Sequence, residues 1–394
     1  IVPGGKYYVT RNNTSILAFK VGTKLDNYSF NIVTSHTDSP TFKVKENAEI
    51  EVKNKYTQLN TEGYGGMLCA TWLDRPLSIA GRVLVSEGNS IVTKLLNIDR
   101  DLLMIPNVAI HMNRAANDGF KYNLQVDMLP LLSAGDDRQK DFKQIIADEL
   151  GVKKEDILGH DLYLYNRMAP SIWGANEEFI SSGHLDDLQC GFASLKALLA
   201  GYNDESIDIM ACFDNEEVGS GTKQGADSTL LRDTLTRINS ALGKTEEDYH
   251  RALASSFMLS ADNAHAVHPN HPEHTDVTNC TYMNEGVVVK SHAGQKYTSD
   301  GVSMAVVKAL ASGADVPLQY FANRSDKAGG STLGNIAMAQ ASMNAVDIGL
   351  PQLAMHSSYE TAGIKDTYYA IALMKALFDS HIQETSTHSL EIKR

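Results

Sequence analysis

The sequence predicts an α/β protein: a mostly parallel sheet with helices on both faces, interrupted by an inserted, mainly antiparallel β module. Three observations carry that reading. From residue 171 onward, short apolar runs rich in β-branched residues alternate with amphipathic stretches of helical length. Between residues 43 and 166 the texture changes. Alternating segments such as Glu49-Ile50-Glu51-Val52-Lys53 and Gly81-Arg82-Val83-Leu84-Val85 suit antiparallel strands with one wet face. Finally, two charged words, Ser35-His36-Thr37-Asp38 and Asn215-Glu216-Glu217-Val218-Gly219, directly follow apolar runs. Ligand sites in open α/β sheets lie at the carboxyl ends of strands.

The elements follow in order. Residues 7–10 and 15–21 read as a hairpin, and residues 30–35 as a buried strand. The chain opens as if a hairpin were already under way, so a helical segment is expected ahead of Ile1. Inside the β module one amphipathic helix is expected over residues 138–150, stopped by Gly151. Helices then follow at 187–200, 228–242, 300–311, after Gly334, and at 367–381. Strands follow at 207–213, 256–260, 318–322 and 346–350. Residues 1–42 and 167–394 are read as one domain and 43–166 as the other.

Composition narrows the classes. The chain has 394 residues, 43% hydrophobic and 21% charged, enough for one large domain or two moderate ones. A net charge of -13 argues against a nucleic-acid surface. No apolar run reaches the ~18 residues needed to span a bilayer, and no signal-like h-region opens the chain, so no membrane is expected. The four cysteines, Cys69, Cys190, Cys212 and Cys280, are scattered and form no CxxC pair. They read as reduced thiols in a reducing compartment, and a cytoplasmic location is expected.

Five residues at strand ends or helix starts have metal-ligating chemistry: His36, Asp186, Glu217, Asp262 and His356. Two ions need a bridging carboxylate and about two further ligands each, which two imidazoles and three carboxylates supply. That mixture suits zinc, with manganese or cobalt able to substitute. Asp38, two residues past His36, can accept the other imidazole N–H and fix the tautomer. Glu216, beside Glu217, is then placed to act as a general base toward a bridging water. Taken singly, each residue has a plainer reading. Asp186 can be a helix cap, His356 a loop histidine, and the Glu pair a solvated strand end. Spacing alone leaves the metal site and its nuclearity open.

The order and wording of the motifs go further. His36-Thr37-Asp38, Leu185-Asp186-Asp187-Leu188, Asn215-Glu216-Glu217-Val218-Gly219-Ser220, Ser260-Ala261-Asp262-Asn263-Ala264-His265-Ala266-Val267-His268 and Leu353-Ala354-Met355-His356-Ser357 resemble the aspartyl aminopeptidase family of co-catalytic zinc exopeptidases (M18-type). So do Trp72-Leu73-Asp74-Arg75-Pro76-Leu77, Ile105-Pro106-Asn107-Val108-Ala109-Ile110-His111 and Gly329-Gly330-Ser331-Thr332-Leu333-Gly334. The resemblance runs from about Gly5 to the final helix.

It implies a zinc exopeptidase-like fold in which His36, Asp186, Glu217, Asp262 and His356 hold two Zn2+ ions and Asp186 bridges them. Glu216 becomes the general base on a bridging hydroxide. Residues 43–166 correspond to the family's dimerisation domain, and His111 to a histidine that reaches the partner subunit's site and the substrate carbonyl. Lys290 matches a lysine of the acidic-substrate pocket. His265 and His268 read as scaffold near the site and His271 as a surface residue. The implied activity is removal of N-terminal residues, acidic Asp or Glu among them, from peptides with a free amine. The implied assembly is a homo-oligomer of dimers forming a tetrahedral dodecamer. Another co-catalytic metallohydrolase, such as a broad aminopeptidase, carboxypeptidase or deacylase, is the nearest alternative. A silent cage is the non-enzymatic one. A nucleotide-binding domain is disfavoured, because no Gly-rich phosphate loop follows an early strand.

Overall fold

The computed structural model describes residues 1–135, 141–386 and 389–394. The chain divides into two compact units. One comprises residues 1–39, 171–355 and 360–394, and the other residues 40–170 and 356–359.

The first unit is built on an eight-stranded sheet. Its strand order is Lys6–Arg11, Ser15–Val21, Ser206–Phe213, Ser29–His36, Phe257–Ala261, Asn344–Gly349, Val287–Lys290 and Leu318–Phe321. The four central strands, Ser206–Phe213 to Asn344–Gly349, run parallel to one another. The sheet is mixed overall. The opening hairpin and the Val287–Lys290 pairing with Asn344–Gly349 are antiparallel, and Val287–Lys290 pairs in parallel with the edge strand.

Two apolar layers cover the sheet because strand side chains alternate between faces. Phe30, Ile32, Ile207, Ile209 and Phe213 point into one core, with Leu230, Leu235 and Ala337 from helices. Val33, Met210 and Cys212 point into the other, with Ala193, Leu310 and Leu377. Both faces are therefore helix-covered, which explains why the strands read as continuous apolar runs.

Local signals set most helix boundaries. Asp300 caps Gly301–Gly313 in a reciprocal box with Ser303, and Thr245 does the same with Asp248 for Glu246–Ala254. That second helix is not among the sequence expectations. Its apolar face amounts to little more than Tyr249 and Ala252. A second, five-stranded sheet is also new, in the order Ser171–Trp173, Phe179–Ser182, Glu360–Gly363, Pro351–Leu353, Ala264–His265. The closing helix spans Asp366–Phe378, and the antiparallel strands His381–Ser386 and Ser389–Lys393 follow it.

The second unit carries a six-stranded sheet whose paired strands run antiparallel. Its order is Ser90–Asn97, Leu77–Glu87, Ile157–Asn166, Thr41–Val52, Tyr56–Tyr64, Leu131–Ala134. Its core packs Phe42, Leu59, Trp72, Leu77, Ile79 and Leu164. The helix expected from residue 138 spans Phe142–Leu150 among the described residues, capped by Asp141 and ended by Gly151 at φ 64. Residues 138–140 lie outside the described residues.

Candidate metal centre

Three adjacent parallel strands bring the chemistry together. Phe213 pairs with His36, and Ser260 with Thr34. The strands thus finish at nearly the same level, and the chain leaves them at His36, at the Glu216-Glu217 turn and at Asp262. The Glu turn is a single 3-10 turn between Asn215 at φ 63 and Gly219 at φ 94. Asp186 arrives from a different direction, at the start of Leu185–Ala200. Asp186 and Asp187 there have non-helical φ/ψ, and the peptide bond between them is cis. The residue at the cap position is His184, not Asp186.

His36, Asp186 and Asp262 are buried, and one ligand atom from each lies within 4.8 Å of the others. One ligand atom each of His36 and the half-buried Glu216 and Glu217 likewise lie within 4.8 Å of one another. His36 Nε2 is 3.4 Å from Asp186 Oδ1. His36 Nδ1 donates to the Asp38 carbonyl at 3.1 Å. In the neutral ring the other nitrogen, Nε2, therefore faces the acids with its lone pair available to an ion.

Carboxylates packed this tightly repel one another unless a cation or a proton intervenes, and burial and mutual repulsion raise their pKa values. Burial, then Asp262, Asp186 and Asp38, push Glu216 up to about 7. Burial holds Asp187 well above the carboxylate range, and Asp262 is raised the same way. Burial alone would lower His36. Hydrogen bonding to Asp186, the Asp187 charge and Asp38 raise it instead. A divalent ion among these groups removes the repulsion, and imidazole with carboxylate is a zinc-type donor set. The residues present fit such an ion.

The carboxylate of Asp38 has its own task. Its two oxygens accept the backbone N–H groups of Glu216 and Glu217, each at 3.1 Å. Its Oδ1 lies 3.5 Å from His36 Nδ1. One side chain therefore ties the end of one strand to the turn after the next.

Residues beyond the sequence candidates support the cluster. Asp187, fully buried, accepts the His36 backbone N–H at 3.1 Å. Glu360 accepts the Asp186 N–H at 3.0 Å and the Gln352 amide at 3.3 Å. Asn263 donates to Leu185 O, Gln189 and Gln352. The word Asp262-Asn263 contains the last of these, but Glu360 lies in a four-residue strand with no local signal. Lys290 is 4% exposed, and its Nζ donates to Asn263 O at 2.8 Å and lies 3.5 Å from Asp262 Oδ1. Burial lowers its pKa, but Asp262 and the neighbouring acids outweigh that and raise it.

Two candidates belong to the second unit. His356 has a left-handed backbone at φ 66. Its carbonyl accepts from Leu68 N–H at 3.0 Å, and its Nδ1 donates to Gly66 O at 2.7 Å, leaving Nε2 as the ligand-competent nitrogen. His111 sits exposed in a turn-rich segment. Asp74 anchors that segment by accepting the Asn107 backbone and side-chain N–H groups at 2.9 and 2.8 Å.

Imidazole and carboxylate donors at the carboxyl ends of parallel strands form the kind of donor set that metallohydrolases use. Comparison with known proteins names the family. A family model described as "Aminopeptidase I zinc metalloprotease (M18)" matches residues 1–378. The chain is 50% identical over 371 residues to a probable M18 family aminopeptidase 2 of Clostridium acetobutylicum, covering 93% of this chain and 86% of that protein. It is 47% identical over 385 residues to the protein so described in Clostridium novyi, covering 96% and 89%. Among solved structures it is similar to that of the Ape4 and Nbr1 complex, with TM-score 0.92, 35% identity, and 96% of this chain and 77% of that chain covered. It is also similar to the S. cerevisiae mApe1 dodecamer, with TM-score 0.81, 28% identity, and 95% and 85% covered. The chain belongs to the M18 aminopeptidase family. It is a zinc metalloaminopeptidase, a hydrolase of peptide bonds.

Proposed function

We propose that the enzyme removes single residues from the free N-terminus of peptides at a two-metal centre held by His36, Asp186, Glu217, Asp262 and His356. The observation that carries this reading is the convergence of the buried His36, Asp186 and Asp262 with the half-buried Glu216-Glu217 pair in one cluster. Asp186 would bridge the two ions, and His356 is assigned as the fifth ligand on its sequence match. When bound, zinc-class ions supply Lewis acidity that acidifies water and polarises a carbonyl.

The protein's own groups do the rest. Glu216 takes the proton of the attacking water and returns it to the leaving amine. Asp38 holds the Glu216-Glu217 turn in place through the two N–H bonds it accepts. We assign His111 to the substrate carbonyl in a neighbouring subunit's site, where an N–H donor stabilises developing charge. Its exposure and its apolar neighbours Val108, Ile110 and Met112, all exposed, support a segment that docks elsewhere. Residues 43–166 then form the dimerisation domain, inserted into the catalytic domain of residues 1–42 and 167–394. The dodecamer named for the yeast neighbour supports a cage assembly.

For Lys290 the placement supports a counter-charge that fixes Asp262 from behind. A preference for acidic first residues must then draw on the Lys290 charge through Asp262 and Asn263, or on other cations.

Kinetics on zinc-reconstituted enzyme test the reading. Aminoacyl anilides bearing acidic and neutral first residues should turn over, and their N-acetylated forms should not. Equal turnover of the blocked substrates, or release of C-terminal residues, would refute the aminopeptidase assignment.

A further inference from the structure

One stretch of chain takes no part in the buried cluster yet carries metal-binding chemistry of its own: His268-Pro269-Asn270-His271-Pro272-Glu273-His274. Its backbone winds tightly. His271 N–H bonds to His268 O at 3.0 Å, His274 N–H to His271 O at 3.1 Å, and Thr275 N–H to Pro272 O at 3.2 Å. The last of these turns is the 3-10 helix Pro272–His274. Side chains three apart eclipse in that geometry. His268, His271 and His274 therefore form a row of rings, with centroids 5.5 and 5.4 Å apart and planes tilted by 36° and 34°.

The three rings are not equivalent. His268 Nδ1 accepts the Asn270 N–H at 3.2 Å, so in the neutral ring its proton is on Nε2 and it serves as a stacking partner. His271 Nδ1 lies 3.1 Å from Glu273 Oε1, and His274 Nε2 lies 4.0 Å from the same oxygen. All three donor atoms are within 4.8 Å of one another. Ligand atoms ~2.1 Å from a tetrahedral zinc-class ion stand ~3.4 Å apart, so small rotamer changes suffice. Two prolines hold φ at Pro269 and Pro272, which lowers the entropy lost on ligation. The Arg324 guanidinium donates to Glu273 O and fixes the turn from outside the ring row.

We propose that His271, Glu273 and His274 form a second, surface site for a borderline divalent transition ion such as zinc, copper(II) or nickel, with the outward positions taken by water. The buried cluster draws its donors from strand ends distant in sequence. This site draws its donors from four consecutive residues, 271–274, and faces solvent, so its ion exchanges freely. Ligation through His271 Nδ1 uses the neutral ring with its proton on Nε2, so the Nδ1–H bond to Glu273 gives way to the ion without net loss of a ring proton. The ion sits on the rim of a cavity of about 270 Å3, whose lining includes His268, His274, Asp276, Arg324 and Lys327. Occupancy clamps the turn that forms part of that wall.

The test counts metal. Zinc-loaded enzyme is passed through a mild chelator to leave only tightly held ions, and copper(II) is then titrated in while its EPR spectrum is recorded. One further equivalent per chain should bind, with nitrogen hyperfine structure from two imidazoles. The double variant His271→Ala, His274→Ala should lose that equivalent and keep its chelator-resistant zinc and its melting curve. Glu273→Gln should weaken binding tenfold or more, while His250→Ala, an exposed histidine elsewhere, should change nothing. Wild type that binds no extra equivalent, or an unchanged spectrum in the double variant or in Glu273→Gln, would overturn the proposal.

Discussion

Replacing Asp38 with Asn tests whether the metal centre depends on a group that need not touch metal. The Asp38 oxygens accept two peptide N–H groups, from Glu216 and Glu217, at 3.1 Å each. An Asn at that position has one acceptor oxygen. Its NH2 would face the second N–H, donor against donor. One charge-assisted bond, of roughly 1.5–3 kcal/mol, is lost, and one largely buried N–H is left without an acceptor at a cost of about 1–3 kcal/mol. Part of this is recovered by relaxation of the turn, so about 3 kcal/mol of destabilisation is expected. The same slackening shifts both the base and a ligand, and outer hydrogen-bond partners of metal ligands typically carry 10–100-fold in metal affinity. Zinc competition with a chromophoric chelator reads the affinity, urea unfolding of the metal-free protein reads the stability, and anilide turnover reads the base. If Asp38→Asn binds zinc within threefold of wild type and unfolds at the same urea concentration, the two-bond clamp is not what organises the turn.

The other expectations separate the roles of neighbouring groups. Glu216→Gln should keep its zinc content and lose turnover by roughly 10²–10⁴-fold, whereas Glu217→Gln should lose zinc as well. Metal analysis showing equal loss in both variants would reverse the assignment of base and ligand. Mixing inactive His111→Ala with inactive Glu216→Gln under subunit exchange should restore activity, up to about one working site per mixed dimer by symmetry. No recovery despite proven exchange would keep His111 out of its neighbour's site. Burial pushes Asp366 up to about 7 against the Asn284 and Gly286 N–H groups it accepts. Its folded pKa is above its unfolded value of about 3.9, so its contribution is fully present below pH ~4 and fades as pH rises toward 7. Asp366→Asn should flatten urea stability over that window, and a slope equal to wild type would refute the assignment.

Much of the catalytic unit was legible because burial on both faces leaves a strong mark. Ile207-Asp208-Ile209-Met210-Ala211-Cys212-Phe213 reads as a strand, since only a doubly covered strand can be so apolar, and it spans Ser206–Phe213. The charged words after such runs located the His36 and Glu216 ends for the same reason. The five-stranded sheet left no such mark. Its strands are two to four residues long, too short for a period to register, and they come from three distant parts of the chain. Glu360 was missed with it, although it holds the Asp186 N–H. Asp187 reads in sequence as a helix-start carboxylate. Its non-helical backbone turns it inward to His36, which no propensity argument anticipates.

The charge around the cluster bears on how many ions it holds. Seven carboxylates gather there, from Asp38, Asp186, Asp187, Glu216, Glu217, Asp262 and Glu360, and Asp186, Asp187, Asp262 and Glu360 are under a tenth exposed. Among the described residues the ammonium placed there is Lys290, held against Asp262. Unpaired charge in such a place costs several kcal/mol per ion. With every carboxylate ionised, one divalent ion with Lys290 would offset three of the seven charges and leave four. Two such ions with Lys290 offset five. The other two, on Asp38 and Glu360, are each met by two N–H groups, from Glu216 and Glu217 for Asp38 and from Asp186 and the Gln352 amide for Glu360. A hydrogen-bonded carboxylate needs no counter-ion when its acceptor sites are filled by fixed donors. The dinuclear reading therefore draws on charge balance independently of ligand geometry, and Asp38 contributes to both.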